Sequence, residues 1–397
     1  MQYNGEYMSK NFLFFTYNSM ILLVFLSYFK FFSFSWILKD VGVALFLMYV
    51  FIKVKPIKIK FPTFGFFIMY LFMILLIAAH FIANGFDFIS LISIRFLFVY
   101  LLLILVGFNF GKYFTEKKMF FLIFGIYWFI ILVGVLEWIN PALVHVYTVG
   151  DNIDALRRSG LGYGLGSLFG DRVIFGFVLT YFLIISRIFI KSRSKLFILQ
   201  IFIFSLVVST LSKTAIFASM IIILIDLIDY LRSKEKNNIL TKAFFVLFLL
   251  LSVSFVVFRF NDLINTLFLA VNSADFSTFS GRTDNWSNLD YSILPNFNYV
   301  GSSKTLGIGF DVVVDSAFLR MVINFGLLIV IPIIMIIFEF LKNWKNINKT
   351  LKYTLLMLLI YSVTVDFYHI VIVVIPMWFS IGYYLYQSKS NKKKKRL

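Results

Sequence analysis

Apolar runs of about twenty residues, separated by short polar connections, repeat along almost the whole chain. They cover about 12–29, 34–52, 64–84, 88–110, 119–140, 173–190, 196–211, 215–231, 243–260, 315–341, 351–367 and 369–387. A helix needs roughly 20 apolar residues to cross the hydrocarbon core. The pattern predicts an all-α polytopic membrane protein of about twelve transmembrane helices. The second run is the least uniform, since it contains Lys39 and Asp40, and the last two are divided only near Asp366. Residues 12–29 follow Lys10 as the apolar part of a signal peptide would. No small-residue cleavage site comes after them and a second run follows directly, so they are read as the first helix.

The polar connections set the direction of threading. Every second one is basic: Lys53, Lys55, Lys58 and Lys60; Lys112, Lys117 and Lys118; Arg187, Lys191, Arg193 and Lys195; Arg232, Lys234, Lys236 and Lys242; Lys342, Lys345, Lys349 and Lys352. Cations resist translocation and stay inside, which places both termini in the cytoplasm. Residues 1–140 then hold helices 1–5 and 141–172 a first long outer loop. Helices 6–9 occupy 173–260, a second long outer loop 261–314, helices 10–12 residues 315–387, and a basic tail 388–397. Neither loop is large enough for an ordinary independent domain, but long loops on a rigid scaffold usually carry function. No internal repeat is evident, and so no sign of the inverted duplication of transporters.

Composition narrows the class. The chain is 61% hydrophobic, 20% aromatic and 14% charged, with mean hydropathy +0.92, whereas soluble domains carry roughly 25% charged residues. The net charge of +18 is no signal for nucleic acid, because the threading puts 26 cations and 6 acids inside against 11 cations and 13 acids outside. The excess is a membrane-orientation signal, and the Lys392–Arg396 tail would also meet anionic membrane lipids. The absence of cysteine removes disulfides and thiolate sites. His80, His145 and His369 are too scattered for metal-ligand spacing, so no metal or cofactor is expected.

Lysine and arginine sort differently. Of the 26 lysines, 22 fall inside, whereas 7 of the 11 arginines fall outside or just within the outer edge: Arg95, Arg157, Arg158, Arg172, Arg259, Arg282 and Arg320. A planar guanidinium that stays charged and binds phosphate or carboxylate through two hydrogen bonds suits an anionic lipid-linked substrate held there. Arg320 and Arg95, just below the outer surface, can instead snorkel to headgroups. For Arg95, inside a span, a cavity is favoured; for Arg259, at a span's end, snorkelling is.

The second outer loop contains Ser280-Gly281-Arg282-Thr283-Asp284-Asn285-Trp286, then Leu306-Gly307-Ile308-Gly309-Phe310, then Asp315-Ser316, with Gly326 in the next span. Eleven residues make almost three helical turns, which places Asp315 and Gly326 on one stripe. On spacing alone Asp315 reads as a helix cap and Gly326 as a packing residue. The first loop carries Gly160, Gly162, Gly164, Gly166 and Gly170, spacing like that of a phosphate-binding nest, without the strand–helix context of a nucleotide loop. Trp286 and Tyr163 can stack on sugars or anchor the loops at the interface. Glu137 and His145 flank the first loop, where interfacial hydrogen bonding is favoured over substrate contact. Asp226 and Asp229 with Arg232 read as solvated pairs at an inner helix end. His369 beside Asp366 reads as a polar turn or a base with its orienting acid.

These segments resemble the O-antigen polymerase and ligase superfamily, membrane glycosyltransferases of the GT-C type. The resemblance rests on Gly281-Arg282…Trp286, on Asp315-Ser316 followed by Gly326, on the basic glycine-rich stretch 157–172, and on Leu211-Ser212-Lys213-Thr214, where lysine stands in place of the family's arginine. It spans roughly Arg157 to Pro332 in pattern and the whole chain in topology. It implies a GT-C-like fold with its site between the two outer loops, at the periplasmic face of the inner membrane.

The activity implied is polymerisation of undecaprenyl-pyrophosphate-linked oligosaccharide repeats into O-antigen or a related surface polysaccharide. The resemblance implies no cofactor, and a chain-length regulator and a flippase as protein partners. Asp315 and Arg282 would be catalytic. Arg157, Arg158, Arg172, Arg95, Arg320, Trp286 and Ser316 would hold pyrophosphate or sugar, with Gly281, Gly309 and Gly326 structural. The ligases carry histidine where Asp315 stands, and an aspartate of ordinary pKa near 3.9 is a weak base unless its site is dry. Three assignments stay open: a desolvated Asp315 as base, Asp311 or Asp284 as base, or Asp315 orienting the acceptor. Two other functions fit the same outline, a ligase moving polymer onto a lipid A core and a flippase. A flippase should carry its cations near the bilayer midplane, and here they gather at the outer edge.

Overall fold

The computed structural model describes residues 3–29, 37–53, 60–84, 99–140, 157–158, 162–163, 165–232, 317, 321, 327–365 and 370–394. Among them the chain is all-helical apart from one pairing of two-residue strands. The helices are α1 (Tyr3–Leu26), α2 (Leu38–Lys53), α3 (Phe64–Asn84), α4 (Tyr100–Phe110), α5 (Glu116–Ile139), α6 (Arg172–Phe189), α7 (Arg193–Ser209), α8 (Lys213–Arg232), α9 (Val330–Asn343), α10 (Lys349–Thr364) and α11 (Val371–Lys394). Each falls on one of the expected apolar runs; the run at 243–260 lies outside the described residues. Among the described residues, three helices are long and apolar enough to cross a membrane: Glu116–Ile139, Arg172–Phe189 and Val371–Ser390. Asn11–Leu26, Phe64–Ala79 and Tyr100–Tyr113 are apolar but shorter.

α11 is the central helix and packs most extensively on α4. Two glycines set that crossing. A methyl on Gly107 would overlap the carbonyl oxygen of Phe379, and one on Gly382 that of Ile104. Lipid is as apolar as leucine, so helices in a membrane gain little from simple burial and associate instead where small residues let backbones touch. Pro376 lies inside α11 and removes the amide that would bond the carbonyl of Ile372. The hydroxyl of Tyr127 on α5 donates to that carbonyl at 2.9 Å, which restores the bond and ties α5 to α11. A ring cluster closes the other side of α11: Tyr17 lies 4.6 Å from Phe379 and 5.5 Å from Phe114, with Phe46 5.9 Å from Tyr17. Outward-facing apolar side chains such as Phe121, Phe64 and Phe338 stay exposed, the inverse of a water-soluble surface.

α6, α8 and α10 meet in a second buried seam. Thr180 of α6 hydrogen-bonds Ser219 of α8 at 3.0 Å and Tyr361 of α10 at 3.2 Å. All three are fully buried or nearly so. α5 packs on α6 with Gly134 against the ring of Phe175, and a side chain at Gly134 would strike that ring.

Candidate outer-end anion site

Four segments converge at the end of the bundle that the charge pattern assigns to the outside: the last turn of α5, the glycine loop 165–170, the start of α6, and the turn joining α7 to α8. The loop is fastened at both sides. Leu165 N donates to Ser209 O at 3.0 Å, and Glu137, fully buried, accepts from Gly166 N at 3.1 Å and Ser167 N at 2.5 Å. The hydroxyl of Ser167 donates to Ile130 O at 2.7 Å. A carboxylate taken out of water is expensive unless its lone pairs are occupied, and two main-chain amides supply that here. The nest expected for a phosphate is therefore filled, at Gly166 and Ser167, by the chain's own Glu137. Of the two roles expected for Glu137, hydrogen bonding is the one observed, and it is directed to the loop, which it holds in shape.

Two non-glycine residues in the described chain have positive φ, Ser167 at 50° and Leu211 at 56°. A left-handed conformation costs a residue with a Cβ roughly 1–2 kcal/mol, and a bulky side chain is seldom found there. Both lie on the two turns that Leu165 and Ser209 join, and strain of this kind concentrates at functional turns. Ser167 is held by Glu137 and Ile130. Leu211 is held by a turn in which Leu211 N donates to Val208 O and Ser212 N to the hydroxyl of Thr210.

The turns deliver two helix N-termini side by side. Asp171 caps α6, accepting from Val173 N at 2.6 Å and Ile174 N at 3.2 Å, so that Arg172 is the first helical residue. Lys213 is the first residue of α8, whose first turn holds no acid. One turn into α6, a Cβ on Gly176 would stand 2.6 Å from Cβ of Ala215 and 3.4 Å from Cβ of Ser212, so the two helix starts touch. A helix N-terminus already carries about half a positive charge. Arg172 and Lys213 add cationic charge to two adjoining N-termini, both of which favour an anion, and the Asp171 carboxylate already meets that of α6. Both side chains are half-buried.

At the opposite end Asp226 is the centre of a charged cluster. Its carboxylate pairs with Arg187, accepts from Gln200 Nε2 at 2.7 Å and Tyr353 OH at 2.8 Å, and lies 3.0 Å from Lys349 Nζ. The side chains of Arg187 and Asp226 are only 12% and 14% exposed. Half-exposed Asp229 meets Lys349 at 2.7 Å, a different partner from the Arg232 expected, and Asp226 is not solvated as expected but shielded and bonded to α6, α7 and α10. The side chain of Arg232 lies outside the described residues.

Of the other site residues expected from sequence, Arg157 and Arg158 form a strand antiparallel to Gly162–Tyr163, with Arg157 opposite Tyr163 and Arg158 opposite Gly162. Asp315, Ser316, Arg282, Trp286, Arg95, Arg320, Gly281, Gly309 and Gly326 lie outside the described residues, as do Asp284, Asp311, Asp366 and His369. Sequence reasoning missed the loop-holding role of Glu137 and the contact between the starts of α6 and α8, which Arg172 and Lys213 open. Among the described residues no cluster of three or more His, Asp or Glu stands in metal-binding range. Compared with known proteins, the chain matches no family model, no curated protein and no solved structure.

Proposed function

We propose that the protein is a polytopic inner-membrane glycosyltransferase that polymerises polyprenyl-pyrophosphate-linked oligosaccharide repeats on the outer face. The observation that carries this reading is the pair Arg172 and Lys213, each opening a helix, on helix starts that touch at Gly176 and Ala215. Such a site favours a ligand of concentrated negative charge, and a leaving pyrophosphate has that character. Stabilising the charge that develops on the leaving group lowers the barrier most where water is excluded.

In the reaction, the acceptor hydroxyl of an incoming repeat attacks the anomeric carbon of the growing chain on its lipid carrier. The bond from that carbon to the pyrophosphate oxygen breaks, and the pyrophosphate departs with the electron pair. Asp315 or a neighbouring acid takes the hydroxyl proton. Arg282 joins Arg172 and Lys213 on the pyrophosphate, with Arg157 and Arg158 nearby on the first loop. Direct displacement inverts the anomeric centre. The remaining crossings, up to about twelve, and the GT-C architecture belong to the same proposal and rest on the apolar runs and alternating basic connections.

Deleting the gene and separating the surface polysaccharide on a gel tests this. The expected result is a core capped by a single repeat. Bare core with accumulated lipid-linked polymer would instead make the protein a ligase, and bare core without outer polymer a flippase. In the complemented strain, Arg282→Ala should abolish the ladder and Arg282→Lys restore it poorly, because lysine lacks the planar fork. Lys213→Ala should shorten the ladder, and an unchanged ladder there would remove Lys213 from the site.

A further inference from the structure

The contacts between α6 and α8 repeat with a fixed offset. Thr180 meets Ser219 and Arg187 meets Asp226, both 39 residues apart, and Gly176 approaches Ala215 with the same offset. The two helices therefore run parallel without slipping over eleven residues, about 16 Å of rise. α10 runs the other way and adds one tyrosine to each polar tier, Tyr361 beside Thr180 and Tyr353 beside Asp226. The tiers are seven residues apart on α6 and α8, a heptad, and the layer between them is apolar, with Ile184, Ile222 and Met357 buried. A polar contact at one heptad position specifies register in a helix seam, because any slip leaves a buried polar group unpaired.

The inner tier is the most demanding. Arg187 has its guanidinium 3.8 Å from the ring centroid of Tyr353, and among the described residues its Nε and Nη1 have no hydrogen-bond partner. Its bond to Asp226 is the contact that a shift of either helix would break. Purely apolar packing would hold the helices at similar depth while permitting several registers.

We propose that Arg187 and Asp226 are positioning residues: they fix α6 against α8 and so set the spacing of Arg172 and Lys213 at the far end of the same two helices. The part concerning Arg172 and Lys213 rests on the anion-site reading above; the register itself does not.

The chain has no cysteine, so a pair introduced by Thr180→Cys and Ser219→Cys reports register without background. Oxidative cross-linking of that parent in membranes should be fast. Adding Arg187→Gln, or Asp226→Asn, which keeps an oxygen acceptor for Tyr353, should slow it at least tenfold. The swapped pair Arg187→Asp with Asp226→Arg should recover most of the rate. Should Arg187→Gln fail to fold, the Asp226→Asn variant decides alone. Equal rates in parent and single variants, or a swap no better than the singles, overturn the proposal. A second measurement titrates farnesyl pyrophosphate into the purified protein. Wild type should bind, and Asp226→Asn should bind at least fivefold more weakly. Equal affinity overturns the link to the outer end. Failure of wild type to bind overturns the anion-site reading instead, and the cross-linking rates still judge the register.

Discussion

Glu137 shows what one buried charge does in this protein. It accepts two main-chain hydrogen bonds from Gly166 and Ser167, and hydrogen bonds to a charged group are worth about 1.5–3 kcal/mol each in net stability. Glu137→Gln preserves shape but turns one acceptor into a donor facing an amide N–H. It should lower stability by about 1.5–3 kcal/mol, read by denaturant unfolding in detergent, and should shorten the polysaccharide ladder because Ser167 would lose its restraint. A variant as stable as wild type would show that the loop is held elsewhere. The loop's glycines were legible as nest-like spacing in a long connection. Their partner was not, since it lies 29 residues away and only folding brings it there. Asp226 carried a better signal: it and Arg187 both sit within apolar runs, where an ionisable residue is costly enough to require a partner.

At the scale of the element, alternating apolar and basic segments were enough to locate the helices. α3 and α8 begin and end within two residues of their runs, because a helix in lipid must be long, apolar and closed in its hydrogen bonding. The contacts between helices were not legible, since they depend on single glycines and hydroxyls. Gly382→Ala should destabilise by about 1–3 kcal/mol, the usual cost of overpacking. Gly125→Ala, where an added methyl meets nothing within 4 Å, should be neutral or stabilise slightly through helix propensity. Equal unfolding midpoints for the two would refute the close crossing of α4 and α11. Pro376 offers a paired test. Tyr127→Phe should cost about 1–3 kcal/mol by stranding the Ile372 carbonyl. In a Pro376→Ala background, where α11 can supply its own amide, the loss should shrink. An undiminished loss would mean that the tyrosine acts through packing alone.

In the whole molecule, the hydrogen-bonded seam of α6, α8 and α10 leads to the end where two basic helix starts and a strained loop meet. The short pairing of Arg157–Arg158 with Gly162–Tyr163 was invisible to a reading based on apolar runs, because two-residue strands leave no periodic pattern. The sorting of lysine from arginine, by contrast, is a property of the entire chain and was present in the sequence from the start.

Orientation is the claim beneath everything else, and the absence of native cysteine makes it directly measurable. A single thiol introduced by Ser280→Cys, beside Gly281 and Arg282, can be challenged in intact cells with a membrane-impermeant maleimide. The account predicts full labelling without permeabilisation, matched by no labelling of Ser388→Cys near the basic tail. Labelling of Ser280→Cys only after the membrane is opened would put those arginines on the cytoplasmic side and contradict the account.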